Sequence, residues 1–180
     1  AMEVVIALGD RGDQVRDYLL SAHPERRFTF VQVDRWEGTG SGPGYSLLAC
    51  RPQLLESPFY FVASDTLWEG NIPTAHGSWM AVAPYPVGAD SARFCNVRTD
   101  SEARVRQLMD KQGVVGPDWR PFIGLAWIQD PGAFFEGLAY SPVVNGEKQV
   151  SGGFARLIEQ GTVNTVNLEW KDVGTEESYR

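Results

Sequence analysis

The sequence predicts an α/β domain: a Rossmann-like, three-layer α/β/α arrangement around a mixed, mainly parallel central sheet. Three observations point there. Up to Asp65 the chain alternates apolar runs of strand length with stretches of helical spacing, the rhythm of right-handed crossovers between parallel strands. After Asp65 strands follow one another with no helix between them, which predicts an antiparallel or mixed extension. With 180 residues, 43% apolar and 12% aromatic, the chain suits a single domain spanning 1–180 with one sizeable core.

Met2 to Leu8 (MEVVIAL) is a continuous apolar run, as expected of a strand covered on both faces. Gly9 and Asp10 turn the chain, and Asp13 is placed to cap a helix from Gln14 to about Ala22, in which Val15, Tyr18 and Leu19 recur at helical spacing. That local role also accounts for Asp13 in the Arg11-Gly12-Asp13 tripeptide better than cell adhesion does. Arg27 to Val33 is the next strand. It feeds a glycine-rich loop (Gly38, Gly40, Gly42, Pro43, Gly44), a short helix from Tyr45 to about Leu54, and a buried strand from Phe59 to Ala63 that ends at Asp65. A carboxylate just past the end of an apolar strand sits where an open α/β sheet keeps its ligand or metal. It is also where turn-forming and helix-capping aspartates sit.

Further on, Trp79 to Ala83 and Ala92 to Arg98 read as strands joined by a loop with Pro84, Pro86 and Gly88. Glu102 to Met109 reads either as a strand or as a helical turn, and delivers Asp110 and Lys111. Phe122 to Ile128 is an apolar strand with Gly124 inside it, a sign of close approach by a ligand or by backbone. Two helices, Pro131 to Leu138 and Gln149 to Gln160, precede a last strand from Val163 to Trp170.

Charge and composition restrict the function. A net charge of −7 and a pI near 4.8 argue against coating a nucleic-acid polymer, which needs a basic face. No apolar run approaches membrane-spanning length and no secretion signal is visible, so the expectation is a cytoplasmic protein with no membrane span. Cys50 and Cys95 lack metal-ligand spacing and read as small apolar packers. His23 and His76 are too few and too far apart for a histidine metal site or a Ser-His-Asp triad.

Three segments line up with one family. GSGPGYSLL with PFYFVASDTL, the Asp110-Lys111 pair followed by FIGLAWI, and the terminal WKDVGTEESY together resemble the nucleotidyltransferases that make sugar nucleotides and related activated head groups. The phosphocholine cytidylyltransferase-like branch is among them. VVIALGDRGDQVRDYL resembles the second strand and helix of the same nucleotide-diphospho-sugar transferase fold. The resemblance implies that Asp65 and Asp172 hold Mg²⁺, that Lys111 contacts the acceptor phosphate, and that these three carry the catalysis. It also implies that Gly42 and Gly44 lie against the nucleotide base, that Gly124 lines the sugar or head-group pocket, and that Glu147 stands near the acceptor. The structural alternatives are a turn aspartate at Asp172, a solvated Lys111, a packing glycine at Gly124 and a loop acid at Glu147; Trp68, Trp79, Trp119, Trp127 and Trp170 read as core or rim.

The implied partners are a nucleoside triphosphate and a small phosphorylated acceptor, a sugar 1-phosphate or a phospho-alcohol such as phosphocholine. The implied product is a precursor for surface polysaccharide. One departure from the family pattern matters: the opening strand, its G-x-G-T-R loop and the lysine after them have no counterpart, and the chain begins on what resembles the second strand. The expectation is therefore an N-terminally truncated domain, inactive alone, with an exposed strand edge that could pair two copies. A non-catalytic nucleotide- or sugar-nucleotide-binding subunit is the competing reading, and an acidic interaction domain without a ligand site is the third.

Overall fold

The structure, a computed structural model, describes residues 2–73, 76–161 and 163–173, with the backbone alone of Asp172. Gly174 and the rest of the terminal motif lie outside the described residues. In chain order the elements are β1 (Glu3–Leu8), α1 (Gly12–Ala22), β2 (Arg27–Gln32), α2 (Pro43–Ala49), α3 (Arg51–Leu54), β3 (Phe59–Val62), β4 (Thr66–Glu69), β5 (Trp79–Val82), β6 (Cys95–Thr99), β7 (Val105–Asp110), β8 (Trp119–Ile128), α4 (Pro131–Tyr140), β9 (Val143–Val144), β10 (Glu147–Lys148), α5 (Ser151–Gln160), β11 (Asn164–Asn167) and β12 (Glu169–Asp172).

The fold is mixed α/β, and its main sheet is organised around β8. β3, β5 and β6 each pair antiparallel with β8, so all three share one direction, and β11 runs parallel with β5. Only β8 and β7 run the other way. Most strands are therefore co-directional, as expected, yet most hydrogen-bonded ladders are antiparallel, because the reversed β8 lies between its neighbours. β1 and β2 form a separate parallel pair, and β4 pairs antiparallel with β12.

Alternation along β5 and β8 divides the core between two faces. Met80, Val82, Phe122, Ala126 and Ile128 point to a cluster closed by Phe134, Phe135 and Leu138 of α4 and Phe154 and Leu157 of α5. Trp79, Ala81, Ile123 and Leu125 point to a second cluster, covered by Trp68 and Trp170 of the β4–β12 ribbon. Helices thus cover one face of the central strands, and an aromatic ribbon covers the other.

Several elements depart from the sequence expectation for local reasons. The helix foreseen from Tyr45 to Leu54 is two helices meeting at Cys50, and each begins with a proline in its first turn, where the missing N–H costs nothing. α1 starts at Gly12 after Arg11 in the left-handed region (φ 52°), and Asp13 lies inside its first turn, in ion-pair reach of Arg16, instead of capping it. β3 is half-buried, with Phe59 inward and Tyr60 and Val62 exposed. β4 was not foreseen. The last strand is two, β11 and β12, which separate at Leu168 to join different ladders.

Glu102 to Met109 resolves as the strand β7, and Asp100 holds the turn that leads into it. Its carboxylate accepts hydrogen bonds from the Glu102 and Arg104 amides at 2.9 and 3.0 Å and from Nε of both Arg104 and Arg106 at 2.9 Å. Partial burial would push the Asp100 carboxyl up, but these hydrogen bonds outweigh it and hold the group well below the usual carboxylate range. Cys50 and Cys95 are free thiols, and burial pushes Cys50 up to about 11, consistent with packing as apolar groups. Among the described residues no helix is long and apolar enough to cross a membrane.

A depressed carboxyl contributes stability above its unfolded pKa, about 3.9, and loses it as pH falls toward the folded value. Asp100→Asn is expected to lower the thermal midpoint at pH 7. The gap to the parent should narrow on acidification below about pH 4, which circular dichroism melts across that range measure.

Candidate active site

The cavity of interest, about 320 Å³, opens where the ends of β3, β7 and β12 converge beside the kink in β8. The kink is Gly124. Its φ of +81° puts it in a region that side chains rarely adopt, and a Cβ there would lie 2.7 Å from Cβ of Ala63 and 3.1 Å from Oγ1 of Thr66. The missing side chain lets the end of β3 close in, so that the Ala63 amide donates to the Gly124 carbonyl at 2.7 Å. Thr66 Oγ1 donates to the carbonyl of Ile123, the residue before Gly124. Of the two readings offered by sequence, close backbone approach accounts for Gly124, which also lines the cavity.

These contacts place Asp65 in the turn between β3 and β4, exposed and on the cavity wall. The β4–β12 ladder sets Asp172 opposite Thr66, and the Val173 amide donates to the Asp65 carbonyl at 3.1 Å. Residues 65 and 172, more than a hundred positions apart in sequence, thus occupy neighbouring backbone positions. The side chain of Asp172 lies outside the described residues.

Lys111 follows β7 in the left-handed region (φ 52°) and lines the same cavity. Its amide donates to the Phe94 carbonyl at 3.0 Å, and Nζ donates to the Arg93 carbonyl at 2.7 Å. An ammonium has three donors, so two remain for a ligand.

Gly42, Gly44 and Glu147 meet beside this wall. Cβ atoms at Gly42 and Gly44 would lie 2.9 Å from the Lys148 carbonyl and 2.5 Å from the Gln149 carbonyl, so both glycines let the start of α2 pack on β10 and the residue after it. Glu147 is exposed and accepts a 2.8 Å hydrogen bond from Nε2 of Gln149. Through Pro43 and Gln149 this packed loop reaches the cavity.

Sequence reasoning quoted Asp110 as a neighbour of Lys111 and gave it no role. It is the most unusual group in the cavity: 9% exposed, with neither carboxylate oxygen hydrogen-bonded. Burial pushes its carboxyl up, and Ser151 and the Lys111 charge pull the other way without satisfying it. The signal was in the strand: Leu108 and Asp110 share a phase in β7, and Leu108 packs on the main core. The aromatic walls were missed too, Phe61 and Phe122 (centroids 6.3 Å apart) and Phe94 and Trp170 (6.0 Å).

The wall thus combines an exposed carboxylate, an ammonium with free donors, an orphan buried carboxylate and aromatic surface. A phosphorylated small molecule matches that set: the lysine complements a phosphate, and a buried acceptor demands a donor from the ligand. Two carboxylates at positions 65 and 172 suit Mg²⁺, a hard cation held by one or two carboxylates and completed by water and substrate phosphates. Among the described residues no cluster of three His, Cys, Asp or Glu is present that would make a closed protein cage.

Compared with models of protein families and with curated proteins, the sequence matches none. Its fold matches solved structures closely. A UDP-glucose pyrophosphorylase in complex with UDP-glucose superposes with a TM-score of 0.74 at 16% identity, over 98% of this chain and 78% of that one. A Bacillus anthracis structure in complex with sucrose, assigned as a glucose-1-phosphate thymidylyltransferase, gives 0.74 at 16%, over 97% and 72%. The inositol-1-phosphate CTP transferase from T. maritima gives 0.71 at 11%, over 98% and 71%. The chain has the nucleotide-diphospho-sugar transferase fold that these nucleotidyltransferases share.

An acid whose folded pKa is raised weakens the native state once pH exceeds its unfolded pKa. Asp110→Asn is therefore expected to raise the thermal midpoint of the unliganded protein at pH 7, by roughly 2–4 °C for each kcal/mol relieved in a domain of this size. The gain should vanish near pH 4, where the carboxyl holds its proton. Melting curves of variant and parent at the two pH values measure it.

Proposed function

We propose that this chain is a Mg²⁺-dependent nucleotidyltransferase of the cytoplasm, joining a nucleoside triphosphate to a sugar 1-phosphate or a phospho-alcohol such as phosphocholine. Pyrophosphate leaves, and the product is a precursor for surface polysaccharide. One observation carries the reading: Asp65 and Lys111 lie on the wall of one cavity, and residue 172 is set beside Asp65 by the β4–β12 ladder, in a fold shared with enzymes of this class.

The reaction brings two anions together, so its barrier is mostly repulsion and misorientation. An acceptor phosphate oxygen attacks the α-phosphorus in line, and the bond to pyrophosphate breaks. Lys111 holds the acceptor phosphate with the donors left on Nζ. No general base is needed, because the attacking phosphate is already ionised. Asp65 and Asp172 would hold Mg²⁺, which supplies charge neutralisation for the phosphates. Asp110 accepts a hydrogen bond from the non-phosphate part of the acceptor, and the aromatic walls exclude water from the same space.

The competing reading is a non-catalytic nucleotide- or sugar-nucleotide-binding subunit. Among the described residues β1 pairs with β2 alone, so an open edge is on hand for assembly with a second copy.

Pyrophosphate release by the purified 180-residue chain, assayed with four triphosphates against several sugar phosphates and phosphocholine, is the test. Turnover with at least one pair bears out the transferase and overturns the expectation of a domain inactive alone. Asp65→Asn should lower kcat/KM roughly 10²-fold or more, and Lys111→Ala should do so mainly through the acceptor. Silence across the panel, with Mg²⁺-dependent thermal stabilisation by CDP- or UDP-linked ligands that Asp65→Ala abolishes, supports the binding subunit. Silence in both assays overturns the two together.

A further inference from the structure

Lys111 is held in place by a residue that never reaches the cavity. Asn96, in β6, is fully buried (0% exposed) and lies opposite Met109 in the β6–β7 ladder. Its Nδ2 faces four backbone carbonyls: Gln112 at 2.9 Å, Ser91 at 3.0 Å, Met109 at 3.2 Å and Phe94 at 3.4 Å. Met109 and Gln112 flank Asp110 and Lys111 on either side. Ser91 and Phe94 flank Arg93, whose carbonyl receives the Lys111 ammonium. One amide therefore ties together the two segments that shape the Lys111 side of the cavity.

The orientation of that amide is set from behind. Tyr85, on the loop after β5, donates its hydroxyl to Oδ1 of Asn96 at 2.6 Å. With Oδ1 engaged, Nδ2 must face the carbonyls. Ser91 adds a second tie, donating from Oγ to the Val114 carbonyl at 3.2 Å and accepting from the Val114 amide at 3.0 Å. This much hydrogen bonding converges where a non-glycine residue, Lys111, occupies the left-handed region. Such a conformation persists only when its surroundings over-determine it.

We propose that Asn96, oriented by Tyr85, is the positioning residue for the acceptor side of the site: it sets where Lys111 and Asp110 stand, and so governs acceptor affinity without touching the acceptor. The inference rests on reading the cavity as the acceptor site, and its two measurements separate its failure from that of the reading.

Asn96→Asp replaces the donor amide with a carboxylate facing four carbonyls, and that variant risks misfolding. Tyr85→Phe removes one hydroxyl and keeps the ring that packs on Phe94. Hydrogen exchange on the unliganded protein is the first measurement. In Tyr85→Phe the amides of Lys111 and Val114 should exchange roughly threefold to tenfold faster, the change expected from one lost hydrogen bond, with the amides of β8 unchanged. Unchanged exchange at Lys111 and Val114, or equal acceleration throughout β8, overturns the positioning role whether or not the protein is an enzyme. Steady-state kinetics is the second. Tyr85→Phe should raise the KM for the acceptor by a similar factor and leave the KM for the triphosphate unchanged. A fall in active fraction with both KM values kept, or an equal rise in both, overturns the proposal; absence of turnover in the parent overturns the transferase reading and leaves the exchange result to decide the role of Asn96.

Discussion

The close approach of β3 to β8 at Gly124 is the constraint on which the site depends. A side chain here would carry a Cβ into that of Ala63, and the turn bearing Asp65 could not close onto the sheet as it does. Ile123 and Leu125, on either side of the kink, lie on the face where the tryptophan cluster packs beneath the β4–β12 ribbon. That ribbon in turn carries residue 172 to residue 65. One glycine in a conformation that other residues resist thus links core packing to the assembly of two distant acidic positions, through contacts that are backbone or nearly so.

The cavity is poor for stability in the way functional sites often are. Asp110 is buried without a hydrogen-bond partner, an arrangement whose desolvation costs more than most single contacts return. Lys111 occupies a strained backbone region on the adjacent residue. The surroundings tolerate both. Phe122, Phe134 and Phe154 pack edge to face on the core side of the central strands, with centroids 5.2–5.5 Å apart for the contacting pairs. Asn96 and Ser91 pin the backbone on either side. A ligand that donated to Asp110 and offered oxygen atoms to Lys111 would relieve the orphan acceptor and use the free donors, so the groups that weaken the empty fold are those that would strengthen the complex.

Much of this was legible in the sequence, and the rest had physical reasons to be hidden. Asp65 could be found because a carboxylate after an apolar strand is a local pattern, and Phe122 to Ile128 because seven largely apolar residues declare a buried strand. β4 could not: TLWE is short, and its partner β12 lies about a hundred residues away, so its pairing is wholly nonlocal. The direction of β8 was hidden for the same reason, since apolar content reports burial and says nothing of orientation. Asp110 was overlooked because a charged residue at a strand end reads as solvated, and only its burial beside Ser151 shows otherwise. Gly42 and Gly44 were read toward a ligand, whereas the clashes a side chain would meet there are with the backbone of 148 and 149.

Burial is uneven along the chain, and the unevenness has a direction. The central strands and α4 and α5 hold almost every fully buried large side chain. In β1, by contrast, the apolar run expected to be covered on both faces has only Leu8 buried, and α1 leaves Val15 and Tyr18 at 43% and 66% exposure. A two-stranded sheet with one helix is marginal by itself, so the β1–α1–β2 unit draws its order from what it packs against. Local opening is then expected there before it reaches the segment that holds Lys111 and Asp110. The Lys111 side of the cavity is braced before anything binds, since the amide of Asn96 fixes its backbone from inside the sheet.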